Sequence, residues 1–86
     1  MARGWQPEQK RSATQICGSV INFAYDGADL LACARLVAGL GIGDSDESEL
    51  LWRRIVAHVT AKTNPNREDI PDLAACGDAL VLLSSL

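Results

Sequence analysis

Aromatic side chains are scarce in this sequence: Trp5, Phe23, Tyr25 and Trp52 are the full set. Strand-built domains draw heavily on aromatic and β-branched residues. Their scarcity turns the reading towards helices with cores of Leu, Ala, Val and Ile. Histidine occurs once, as His58, and the three cysteines, Cys17, Cys33 and Cys76, show no C-x-x-C spacing. Structural zinc sites bring their ligands as close pairs. Every interval among these four residues is long, so neither a metal nor a cofactor is expected. The same intervals leave no nucleophile beside a base, and enzymatic activity is not expected. The cysteines lie in apolar or alanine-rich stretches and read as buried free thiols in a reducing compartment.

Long apolar runs are missing too. The longest stretch without a formal charge is residues 12–25, shorter than the roughly 20 residues a spanning helix needs. The opening MARGWQPEQKR lacks the apolar core of a secretory signal. The expectation is a cytoplasmic protein with no membrane partner.

What is present is helical periodicity and clear punctuation. An 86-residue chain with 48% hydrophobic residues is the size of one domain with one small core. Residues 1–8, with Gly4 and Pro7, read as an irregular arm pinned by Trp5. Residues 9–86 read as the folded domain. Apolar spacing over 9–24 predicts a first helix burying Ala13, Ile16, Cys17, Val20, Phe23 and Ala24, with Ile21 widening the stripe. Asp26-Gly27 breaks the chain, with Asp26 capping onto the amide of Asp29. An unbroken helix through Gly27 is the alternative. A second helix over 28–40 turns Leu30, Leu31, Ala34, Val37 and Ala38 inward.

Gly39, Gly41 and Gly43 end that helix, and Asp44, Asp46, Glu47 and Glu49 open the next, which starts near Ser45 or Asp46. Asp44···Glu47 and Asp46···Glu49 both have the spacing of a capping box, and acids suit the positive end of a helix dipole. Leu51, Ile55 and Val59 form the third stripe, widened by Trp52 and Val56, and Asn64-Pro65-Asn66 stops it. Pro71 suits the first position of a last helix capped by Asp69 or Ile70. Its inward face is Leu73, Ala74, Gly77, Leu80, Val81 and Leu83 or Leu86, with Gly77 allowing a close crossing. The fold class is therefore all-α, a small antiparallel bundle of three to four helices.

Familiar site motifs fail on their own requirements. The glycine set 39–43 follows a helix rather than a strand and faces carboxylates, which excludes a dinucleotide loop. Asp44, Asp46 and Ser48 have calcium-loop spacing, but Glu49 and Ile55 stand where glycine and glutamate are required. A DNA-reading helix would present acids to phosphate.

Charge is segregated: +2 over residues 1–11, −5 over 26–49, +4 over 50–67 and −4 over 68–86, for a net −3. The acidic corner Asp44, Asp46, Glu47 and Glu49, extended by Asp26 and Asp29, suits a partner protein with a basic surface. Trp5 and Trp52 are candidate anchors, since tryptophan is enriched at interface hot spots. The expectation is a small non-enzymatic interaction module, an inhibitor, adaptor or regulator. One version is a phage- or mobile-element-encoded anti-defence inhibitor that occupies a basic nucleic-acid-binding surface. The alternative is a nucleic-acid-binding regulator whose basic face is Arg53, Arg54, Lys62 and Arg67. A monomer and a homodimer are both compatible with the pattern.

Overall fold

A computed structural model describes residues 7–86; residues 1–6 of the expected arm, Trp5 among them, lie outside these, and residues 7 and 8 belong to a helix instead of the arm. Four α-helices follow one another: α1 (Pro7–Phe23), α2 (Gly27–Leu40), α3 (Asp46–Thr60) and α4 (Ile70–Ser84). A single 3-10 turn, Arg67–Asp69, precedes α4, and no strand occurs among the described residues.

The caps explain where each helix begins and ends. Pro7 opens α1 two residues before the expected start, at the position where a missing N–H costs nothing. The chain breaks before Gly27, and the Asp29 amide donates to Asp26 Oδ1 at 2.9 Å. Gly41 stops α2 in the left-handed region (φ 68°). Its amide donates to Ala38 O and that of Ile42 to Val37 O. This is a Schellman cap, closed by the buried Ile42 side chain.

Two expected caps are replaced. Ser45, rather than an aspartate, caps α3: its Oγ accepts from the Ser48 amide and donates to Ile42 O. A short hydroxyl in extended backbone reaches the third amide, leaving Asp46, Glu47 and Glu49 to the dipole. Before α4, Asn66 makes a capping box with Asp69 around the 3-10 turn. Asp69 makes no side-chain cap to α4 itself.

Successive helices run antiparallel. Ile16 on α1 shares a groove with Leu36 and Leu40, while Ala24, past its end, shares one with Asp29 near the start of α2. His58 meets Asp72, and Lys62 meets Asp69, across the α3–α4 turn. Alternate helices are therefore parallel. Gly27 touches Asp72 at the starts of α2 and α4, and Gly43 meets Leu86 beyond their ends. α2 packs on all three other helices, most closely on α4, whereas α1 and α4 do not meet.

The core is Cys17, Ile21 and Ala24 from α1 and its end, Leu30, Cys33, Ala34 and Val37 from α2, Ile42 from the α2–α3 turn, Leu51 and Ile55 from α3, and Cys76, Ala79 and Leu83 from α4. Two expected faces are rotated. Ile16, Val20 and Phe23 of the expected α1 stripe point to solvent, while Cys17, Ile21 and Ala24 are buried as expected. On α4, Ala74, Gly77 and Val81 are exposed, while Cys76 and Ala79 face inward. Nothing lies within 4 Å of a Cβ built on Gly77, so the close crossing is not there. It is at Gly27, where a Cβ would run into the Asp72 carbonyl. Val59, expected in the core, is partly exposed. No helix among the described residues is long and apolar enough to cross a membrane.

Candidate functional site

The stripe that turns α3 towards α4 is Leu51, Ile55, His58, Lys62, spaced by i, i+4, i+7, i+11. The matching stripe on α4 is Asp72, Cys76, Ala79, Leu83. Both change from apolar to polar as they approach the α3–α4 turn. The polar ends meet: His58 Nε2 donates to Asp72 Oδ2 at 2.6 Å, and Lys62 Nζ to Asp69 Oδ1 at 3.3 Å. Asp72 Oδ1 accepts from the Gly27 amide at 2.5 Å. One carboxylate thus ties the start of α2 to both α3 and α4. The Gly27 amide and then His58 hold the Asp72 carboxyl below its ordinary range, and Asn66 and Lys62 do the same for Asp69.

Cys76 completes this cluster: ligand atoms of His58, Asp72 and Cys76 lie within 4.8 Å of one another. The sequence reading set His58 beside three cysteines and found no proximity. The structure gathers it with one of them and with an aspartate that reading left out. Cys17 and Cys33 are not in the cluster among the described residues. All three thiols are free and buried. Burial pushes each of them up, so they stay protonated at neutral pH.

The expected acidic corner is a real cluster at the first turn of α3. Asp44, Asp46 and Glu49 are exposed and Glu47 is half-buried beside Gly18. Glu49 pairs with Arg53 at 2.7 Å. Asp44 and Asp46 make no ion pair among the described residues. Asp26 and Asp29 do not join them: they cap the opposite end of the 14-residue α2, about 20 Å away along its axis.

The basic residues are dispersed. Arg54 Nη2 donates to Ala24 O at 2.7 Å, closing the C-terminal end of α1 with a cation. Lys62 is held by Asp69, Arg53 by Glu49, and Arg67 is exposed in the 3-10 turn. Trp52 is 40% exposed and lines a shallow groove along α3 with Val56 and Ala57.

Sequence reasoning missed an exposed apolar surface on α1. Ile16, Val20 and Phe23 form an outward i, i+4, i+7 row on α1, with Phe23 and the neighbouring Tyr25 each 86% exposed. Between this row and α2 runs a groove of about 520 Å³ lined by Ala13, Ile16, Leu36 and Leu40. A second recess between the same two helices is lined by Val20, Phe23 and Ala32. Among the described residues, the charged side chain lining the first recess is Glu8 and that lining the second is Asp29. The signal was present in the two adjacent apolar rows of α1, of which only one can face a core.

No protein family, curated protein or solved structure matches the chain.

Proposed function

We propose that the protein is a non-enzymatic module that binds a partner protein by seating an amphipathic helix in the α1/α2 groove. The observation that carries this reading is the exposed row Ile16, Val20 and Phe23 beside the half-buried Leu36 and Leu40. Contiguous exposed apolar surface marks interaction sites, and a groove between two helices suits a third helix with i, i+3, i+4 anchors. Glu8 and Asp29 favour basic residues on both flanks of that helix. Asp44 and Asp46 stand at the end of the bundle where Leu40 closes the groove, and steer a basic partner towards it. Such a segment could belong to a nucleic-acid-handling protein that this module inhibits.

The alternative basic face has less support, because Arg54 and Lys62 are already engaged within the fold. A labelled Leu/Lys amphipathic helical peptide, its Leu/Glu counterpart and duplex DNA separate the readings. The Leu/Lys peptide should bind in a salt-sensitive manner, and Ile16→Ser with Phe23→Ser should weaken it at least about tenfold, or about 1.4 kcal/mol. Helicity of the double variant should be unchanged. Equal binding by that variant, or binding to DNA but not to the peptide, would overturn the proposal.

A further inference from the structure

We infer that His58, Asp72 and Cys76 form a binding site for a divalent metal ion of the zinc class. The three ligand atoms come from two helices and converge within 4.8 Å. Asp72 and Cys76 are i, i+4 on α4, so one face of one helix presents both, and His58 meets them from α3. The donor set is one imidazole nitrogen, one carboxylate oxygen and one thiolate sulfur. That mixture favours zinc or cobalt over magnesium or calcium, which take oxygen alone.

Charge supports the same conclusion. A neutral imidazole, a carboxylate and a thiolate together carry −2, which cancels a divalent cation. The filled site is then neutral beside Arg54 and Lys62. Cys76 is fully buried, whereas His58 is partly exposed and borders a surface recess with Arg54 and Ala57. An ion would therefore enter from the His58 side, and a solvent molecule would complete its four-coordinate shell. Asp72 Oδ1 is already fixed by the Gly27 amide, an outer contact of the kind that orients ligands.

In the structure the His58–Asp72 hydrogen bond occupies the centre. Zinc bonds of about 2.0–2.3 Å put tetrahedral ligands roughly 3–4 Å apart, so the pair must open by about 1 Å. The Cys76 thiol gives up its proton to solvent. The neutral His58 ring shifts its single proton from Nε2 to Nδ1, which frees the Nε2 lone pair for the ion. The balance is one proton released per ion bound to a neutral ring.

The test is a titration of the full chain with Co²⁺. It should saturate at one ion per chain with a near-ultraviolet thiolate-to-cobalt band, bleached by added Zn²⁺. Cys76→Ser should remove the band and Cys17→Ser should keep it. His58→Gln should weaken Zn²⁺ binding by more than about 100-fold, the upper end for an outer contact. A wild-type protein without a saturable thiolate band overturns the inference, whether or not any variant folds. So does a band that disappears with Cys17 instead of Cys76.

Discussion

The two sides of this bundle are held in different ways. Where α2, α3 and α4 come together, polar groups fix the geometry. Asp72 takes hydrogen bonds from His58 and the Gly27 amide, Asp69 takes one from Lys62, and Asn66 caps the turn. Where α1 meets α2, an open apolar groove runs between them, and the outer row of α1 faces water. Hydrogen bonds are directional and set register, while apolar contact is tolerant of what fills it. The first side specifies the fold, and the second leaves a surface for something else to complete.

The sharpest way to break this contrast lies within α1. Ile21→Ala removes a fully buried side chain and should cost about 2–5 kcal/mol in denaturant melts. Ile16→Ala, on the exposed row, should stay within about 0.5 kcal/mol. Equal costs would mean that α1 is rotated from the orientation described. The next effect probes the polar side. Gly27→Ala forces a methyl group against the Asp72 carbonyl and should destabilise by about 1–3 kcal/mol. Gly77→Ala meets nothing and should stabilise α4 by up to about 1 kcal/mol.

The smallest effect is read in acid. Asp69 and Asp72 both have carboxyl groups held below their ordinary values. Their contribution is present above the unfolded value and fades as pH falls through the folded one. Melting temperature should therefore drop as pH is lowered below about 4. Asp72→Asn should flatten part of that drop, and an unchanged slope in this variant would show that the carboxylate is not engaged.

Much of the fold could be read directly from the residues that interrupt it. Asp26 and Gly41 each carry local chemistry that starts or ends a helix whatever its surroundings, whereas the acids on either side of Ser45 masked its part as the α3 cap. The rotation of α1 and α4 could not, because both helices are apolar on more than one face. On α1 the expected stripe spanned two rows, Ile16, Val20 and Phe23 together with Cys17, Ala24 and, at its edge, Ile21. Burial went to the slimmer row Cys17, Ile21 and Ala24, because neighbouring helices decide which row is covered. The acidic corner was legible as a sequence cluster. The His58–Asp72–Cys76 cluster was not, since it depends on where α3 and α4 face each other. With Lys62 opposite Asp69, antiparallel counting puts His58 beside Asp72. That register needed the 3-10 turn before α4, which the sequence stripe did not reveal.

The absence of contact between α1 and α4 has a kinetic consequence. A helix that touches only two neighbours can lift away while the other three stay packed, an opening that costs less than global unfolding. Cys17 would leave with α1 and Cys33 would be uncovered on α2, so both thiols become reactive in the partly open state. Cys76, held between α4 and its neighbours, would wait for the whole molecule to come apart. The three cysteines would thus report two separate timescales of breathing, with the faster one on the face offered to a partner.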